Sequence, residues 1–195
     1  QKDQFISIND EEIAFDYLLI AVGCSDLAPK KIDNVLTLSD FMSEAGSDIL
    51  NKVIAENGGE ELALTVVGGG ATGIQFLFEI NAFLKRHKIN RKLNLVDGGD
   101  HVLKQFPGEF ARYVEMRMKE LDIAFYPHTY FLEQQANEVL LEDKNTKQSF
   151  SLPSQHSLYF TGKSKQSLFE ANANGQIIIN GEPSHQLFAA GDCSN

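Results

Sequence analysis

Six residues in the middle of the chain, Gly68-Gly69-Gly70-Ala71-Thr72-Gly73, fit the spacing G-x-G-x-x-G. Each glycine has a physical task in such a loop. Gly68 permits a tight strand-to-helix turn, Gly70 lets the backbone approach a pyrophosphate, and Gly73 lets a helix pack close on a strand. A helix that starts inside the motif adds unpaired N–H groups and a partial positive charge, both suited to phosphate. Asp97 follows at the end of an apolar run, at roughly the 20-residue separation expected of the acid that holds a ribose diol. A carboxylate there repels a 2′-phosphate, and no Arg follows it in Gly98-Gly99-Asp100. The pattern therefore favours NADH over NADPH. Taken alone, the glycines fit a plain structural turn just as well, so the flanking elements have to decide.

Those elements supply the needed context. Residues 62–67 read as a strand that ends in a β-branched pair, and 71 to about 88 as a helix apolar on most sides, as if buried between layers. Residues 92–96 read as a second strand. Pro107 opens a helix to about 121, and 123–126 form a third short strand. Strand–helix–strand–helix–strand implies a parallel sheet with right-handed crossovers. Segments near 130–133, 139–141 and 149–152 read as an antiparallel meander, and 157–161, 176–179 and 187–190 as further strands. Upstream, 5–8 and 12–15 form a hairpin about Asn9-Asp10, the second strand running on through the apolar run 17–22 to Gly23. Ser39 caps a helix to about 57, with Phe41, Ala45, Ile49 and Val53 on one side and Gly58-Gly59 as its stop. The fold class is α/β: a Rossmann-like parallel βαβ domain with an antiparallel β-meander.

Composition narrows the function classes. The 195 residues are 43% hydrophobic and 23% charged, which supports a sizeable core. A formal net charge of −10 argues against a nucleic-acid partner, since a polyanion needs a basic face. The longest apolar run, near 17–24, is far short of the ~20 residues that span a bilayer, and no signal peptide is expected among these residues. The two cysteines, Cys24 and Cys193, are far apart, which disfavours a redox dithiol and points to a reducing compartment. The five histidines show no metal-ligand spacing and read as surface or loop residues; no metal site is expected. The chain begins at Gln1 and stops at Asn195 soon after a Gly-Asp pair, which reads as a piece of a longer protein.

Taken in order, "FDYLLIAVG", "LTVVGGGATGIQ", "KLNLVDGGDHVLKQFP", "LEDKN" and "LFAAGDCSN" resemble the FAD-dependent pyridine nucleotide–disulfide oxidoreductase superfamily, in its type II NADH dehydrogenase-like branch. The resemblance implies that residues 36–165 are an NAD-binding domain, that 1–35 contribute strands of a truncated FAD domain, and that 166–195 return to it. It implies that Gly68, Gly69, Gly70, Ala71, Thr72, Gly73 and Asp97 bind NADH, that Gln75, Thr161 and Gly162 lie toward the nicotinamide, and that Gly191 and Asp192 touch FAD, with residues 21–23 nearby. The cofactors carry the chemistry in such proteins, so no catalytic side chain is assigned.

Three departures stand out. A second G-x-G-x-x-G for FAD is absent, so this segment should bind FAD poorly. Gln75 replaces a Glu. Phe160-Thr161-Gly162-Lys163 departs from A-x-G-x-x-P. The acceptor implied is a quinone. Disulfide, ferredoxin and sulfide–quinone reductases of the same superfamily stay open, as does a non-catalytic NADH-binding module. The expected location is cytoplasmic or peripheral to the inner face of a membrane through other segments, with a homodimer compatible. Cys193 reads as packing.

Overall fold

The computed structural model describes residues 4–23, 32–43, 46–162 and 168–194. In chain order the elements are β1 (Gln4–Ile8), β2 (Glu11–Phe15), β3 (Leu18–Ile20), β4 (Val35–Thr37), α1 (Leu38–Phe41), α2 (Gly46–Glu56), β5 (Leu62–Val67), α3 (Ala71–Arg86), β6 (Arg91–Val96), α4 (Gly108–Glu120), β7 (Ile123–Tyr126), β8 (Thr129–Gln134), β9 (Glu138–Asp143), β10 (Ser149–Pro153), β11 (His156–Tyr159), β12 (Gln176–Ile179) and β13 (Glu182–Ala189), with a short 3-10 turn at Gly191–Cys193. They divide into two compact units, Leu27–Gly162 and the pair Gln1–Asp26 with Lys163–Asn195.

The larger unit is built on a five-stranded parallel sheet in the order β4-β11-β5-β6-β7. Every residue of β5 is buried, as a central parallel strand covered on both faces requires. Leu62, Leu64 and Val66 of β5, with Leu93, Leu95 and Leu158, pack on Ile74, Leu77, Ile80 and Leu84 of α3 and on Ala111, Val114 and Met118 of α4. The alternate residues turn to the opposite face. There Val96 meets Val139 and Leu141 of the antiparallel sheet β10-β9-β8. Polar residues also lie on that face. Ser157, Thr65 and Asn94 are register partners across three strands and are fully buried. The Ser157 hydroxyl donates to Gln134 Oε1 at 2.5 Å, and Gln134 Nε2 donates to the Ser154 carbonyl at 2.8 Å. These bonds satisfy groups whose burial would otherwise be costly.

In the smaller unit β1 and β2 form a hairpin, with Asn9 and Asp10 in the left-handed region that a two-residue hairpin turn demands. β3 runs parallel to β13, which pairs antiparallel with β12.

Several sequence expectations need correction. Residues 12–22 are not one continuous strand. β2 stays in the hairpin while β3 pairs with β13, and the chain leaves the ladder at Asp16-Tyr17 to change partner. The helix expected from Ser39 to about 57 is two helices. Thr37, not Ser39, is the cap, in a reciprocal capping box with Asp40, and Ser43 folds back onto the Asp40 carbonyl through both its N–H and its hydroxyl. Ala45 lies outside the described residues. α3 is not sealed between layers, because Gln75, Glu79, Ala82 and Lys85 form an open face. β11 ends at Tyr159, two residues short, and β13 starts at Glu182, well before 187. His156 is no surface loop residue, since it starts β11 and its Nδ1 is buried without a hydrogen-bond partner.

Candidate nucleotide-binding site

β5 delivers the glycine loop to the carboxyl end of the parallel sheet, where α3 begins. The Gly68 N–H bonds the Val96 carbonyl at 2.8 Å, so the loop leaves the sheet still tied to β6. Gly68 has φ +112°, and a Cβ there would stand 2.4 Å from the Phe160 carbonyl oxygen. A Cβ on Gly73 would stand 1.9 Å from the Gly68 carbonyl oxygen. These two positions therefore need glycine for reasons internal to the fold. Gly70 differs: it is the N-cap of α3 in extended backbone, and a Cβ there would meet nothing within 4 Å. Space above the helix start is therefore open at Gly70, the geometry by which a helix N-terminus can admit a phosphate to its backbone. No acidic residue lies in the first turn of α3 to compete for that positive end.

Asp97 turns toward this loop. Its Oδ2 accepts the Gly69 N–H at 2.6 Å and its Oδ1 accepts the Gly99 N–H at 2.7 Å. The second bond is the local turn that Asp makes with the residue two positions on. The carboxylate has about four acceptor sites, so two of them remain for a diol. The Gly69 carbonyl in turn accepts the Leu103 N–H at 2.7 Å, and the Gly99 carbonyl accepts the His128 N–H at 2.7 Å. Asp97 is half-buried, Gly99 buried and Asp100 exposed. A hydrogen bond from its own backbone, with His101 adding, holds the Asp100 carboxyl below the usual carboxylate range; its Oδ1 lies 2.8 Å from His101 Nδ1.

The remaining expected residues fall in three places. Ala71, Thr72 and Gln75 lie in the first turns of α3, with Ala71 and Gln75 exposed and Thr72 half-buried. Thr161 and Gly162 are exposed just beyond β11, next to Gly68 through the Phe160 carbonyl. Thus Gly68, Gly69, Gly70, Ala71, Thr72, Gly73, Gln75, Asp97, Thr161 and Gly162 belong to one end of one unit. Gly191 and Asp192 belong to the other unit, in the turn after β13, and are exposed. Within that unit the Ala190 N–H bonds the Ile20 carbonyl at 3.0 Å, which joins the chain ends leading to 21–23 and to 191–192. Cys193 is buried there, its thiol against the Ile20 and Ala190 carbonyls. Cys24 and Lys163 lie outside the described residues.

Sequence reasoning missed two parts of this end of the sheet. One is the Gly99 N–H as the second partner of Asp97, legible in hindsight because Asp-Gly-Gly is an Asx-turn pattern. The other is an aromatic trio. Phe76 of α3 packs on Phe160 at 4.7 Å and on Phe41 of α1 at 5.1 Å between ring centroids. The trio accounts for Phe160 where the pattern has alanine: its ring fills the space between α1 and α3.

The family model for pyridine nucleotide-disulphide oxidoreductase matches residues 1–195. Among curated proteins, apoptosis-inducing factor homolog A of Dictyostelium discoideum is 26% identical over 213 residues, covering 95% of this chain and 50% of that protein. The external alternative NAD(P)H-ubiquinone oxidoreductase B1, mitochondrial, of Arabidopsis thaliana is 24% identical over 183 residues, covering 83% of this chain and 32% of that protein. Among solved structures, NDH2 from Plasmodium falciparum in complex with NADH matches with a TM-score of 0.74 at 19% identity, over 97% of this chain and 46% of that one. The last likeness concerns the fold, which is the same mixed α/β arrangement. The chain spans about half the length of the first curated relatives it matches.

Proposed function

The chain belongs to the pyridine nucleotide-disulphide oxidoreductase family, and from that premise we propose that it binds NADH at the loop 68–73, with the adenosine ribose held by Asp97. In this reading residues 36–165 are the NAD-binding domain, and 1–35 and 166–195 contribute to an FAD-binding domain. The protein that contains them is an oxidoreductase passing electrons from NADH through FAD to an acceptor. A quinone is the acceptor this reading prefers, in keeping with the ubiquinone in the name of the Arabidopsis relative. Gly191 and Asp192 are the residues here that would meet the flavin. The chemistry FAD supplies is acceptance of a hydride from the nicotinamide. This chain's own part is to grip the pyrophosphate, orient the ribose and set the nicotinamide end near Thr161 and Gly162. Among the described residues no helix is long and apolar enough to cross a membrane, and we propose peripheral association at a cytoplasmic membrane face through other segments.

One observation carries the reading. The open Gly70 N-cap and the Asp97 carboxylate are tied to the same loop by a 2.6 Å hydrogen bond, so the phosphate and ribose positions are set by one rigid turn. The test is equilibrium binding of NADH and NADPH to the chain. NADH should bind at least tenfold more tightly. Gly70→Thr preserves the helix cap, because Thr and Gly cap about equally well. It places a branched side chain in the phosphate path, and it should weaken NADH at least tenfold with an unchanged melting temperature. Equal affinity for the two dinucleotides removes the role given to Asp97. Undiminished NADH binding by Gly70→Thr removes the loop from the site.

A further inference from the structure

The segment Leu141-Glu142-Asp143-Lys144-Asn145 carries a lysine that the dinucleotide reading leaves without a task. Lys144 lies in the turn from β9 to β10, and that turn is fixed from within. Asp143 Oδ1 accepts the N–H groups of Asn145 at 2.9 Å and Thr146 at 2.8 Å, and the Lys144 N–H bonds the His128 carbonyl at 2.7 Å. From there the exposed Lys144 side chain reaches the Asp97 turn, 46 residues away in sequence, where Nζ donates to the Gly98 carbonyl at 3.3 Å. The Tyr130 ring lies alongside. Lys144 Nζ stands over it at 5.8 Å from the centroid, and its Cε1 is 2.6 Å from where a Cβ on Gly98 would be. The ring therefore takes the side-chain place at Gly98 and offers its face to the ammonium. The two neighbouring carbonyls of the turn are held by backbone, that of Asp97 by the Thr129 N–H at 2.9 Å and that of Gly99 by the His128 N–H at 2.7 Å. The Gly98 carbonyl, between them, is held by a side chain.

The carbonyl of Gly98 and the N–H of Gly99 belong to one planar trans peptide and point in opposite directions. That N–H is the donor to Asp97 Oδ1 at 2.7 Å. One peptide is thus gripped at both ends, by an ammonium on its oxygen and by the carboxylate on its hydrogen. Glycine on either side of it leaves no Cβ to hinder its rotation, so the grip has to come from outside. Hydrogen bonds in such a chain also polarise one another. We propose that Lys144 is a positioning residue for the nucleotide ribose, acting through the Gly98–Gly99 peptide to fix the N–H that orients Asp97. This role rests on Asp97 holding the ribose diol, and it extends the site from the βαβ unit to the turn between β9 and β10.

The test compares ADP with 2′,3′-dideoxy-ADP, which lacks the diol, by titration calorimetry on the chain and its variants. Wild type should prefer ADP about tenfold, since the dideoxy ligand leaves the groups that face a diol unpaired. Lys144→Met should cut that preference about threefold, the scale of one exposed hydrogen bond, by weakening ADP and leaving the dideoxy ligand unchanged. Lys144→Arg keeps a cationic donor and should retain the wild-type preference. So should Lys147→Met, because Lys147 stands at the same 5.8 Å from the Tyr130 centroid but pairs with Glu142 and not with Gly98. Equal weakening of both ligands by Lys144→Met, an Arg variant as poor as the Met one, or an equal effect of Lys147→Met would each overturn the proposal. A wild type indifferent to the diol defeats the assignment of Asp97, and this proposal with it. A wild type that prefers the diol, with Lys144→Met preferring it as strongly, defeats this proposal alone. Both ligands are read on the same protein, so partial unfolding of a variant leaves the ratio unchanged.

Discussion

Asp97 does two things at once. Each oxygen takes one backbone N–H, from Gly69 and from Gly99, so the side chain cannot rotate away from the loop. It keeps acceptor capacity on the outer side of both oxygens. In the proposed site the carboxylate would therefore cost nothing further to orient on binding a diol, which is how pre-organisation raises affinity. His156 is the opposite case, a titratable side chain with an unmet need. Its pKa lies below the usual 6.5 because burial disfavours the charged ring, an effect that Glu56 only partly offsets. The unfolded chain therefore binds this proton more readily than the folded one. Above pH 6.5 the ring is neutral in both states and contributes nothing. As pH falls below 6.5, stability is lost, and the loss levels off once pH passes under the folded-state pKa. His156→Gln should flatten that acid-side slope and leave stability above pH 7 nearly parallel to wild type. Denaturant unfolding over a pH series measures this, and identical slopes for the two proteins would show that the ring is not desolvated.

At the scale of elements, the glycine loop works because α3 can press against the turn that launches it. Gly73 sits where a methyl group would collide with the Gly68 carbonyl oxygen at 1.9 Å, and that carbonyl is backbone in a turn already tied to β6. Gly73→Ala should therefore destabilise by about 1–3 kcal/mol, the usual cost of overpacking, read from the shift in the denaturation midpoint. Midpoints equal to wild type would mean the helix does not pack as closely as described. This approach was legible in the sequence, because G-x-G-x-x-G between two apolar runs encodes it. So were β5, β6, α4, β7 and the meander, whose hydrophobic periods are sustained. The break between α1 and α2 was not, since Phe41, Ile49 and Val53 keep a helical spacing straight through it. What ends α1 is local polar bonding at its carboxyl end, where Ser43 folds back on the Asp40 carbonyl through both its N–H and its hydroxyl, and this competes with helix propagation without disturbing the apolar pattern. β4 also escaped notice, because three residues, Val35–Thr37, are too few to show a period. The buried row Ser157–Thr65–Asn94 could not be seen either, since register between strands from distant parts of the chain creates it.

At the scale of the molecule, apolar burial is unequal between the two units. Nearly all fully buried side chains of size, among them Leu62, Leu64, Leu77, Leu84, Leu93, Leu95 and Leu158, lie in the unit Leu27–Gly162. The other unit buries Ile177, Ala189 and Cys193 but leaves Phe5, Ile8, Ile13, Tyr17, Leu19 and Val22 about half or more exposed. A two-stranded ribbon such as β1-β2 has little independent stability in water. Local opening free energies should follow this division, because protection against exchange tracks buried contacts and shielded backbone hydrogen bonds. In native-state hydrogen exchange of the chain, amides of β5, β6 and β11 should be the slowest and should approach the global unfolding free energy. Those of β1 and β2 should exchange by local opening, at least a hundredfold faster, a gap of about 2.8 kcal/mol at ~1.4 kcal/mol per factor of ten. Saturating NADH should slow residues 68–74 and 97–103 further, since a ligand bound only to the closed loop stabilises it by mass action, and it should leave the hairpin rates unchanged. Hairpin amides as slow as those of β5 would refute the division of stability. Uniform slowing by NADH along the whole chain would refute a site confined to the loop.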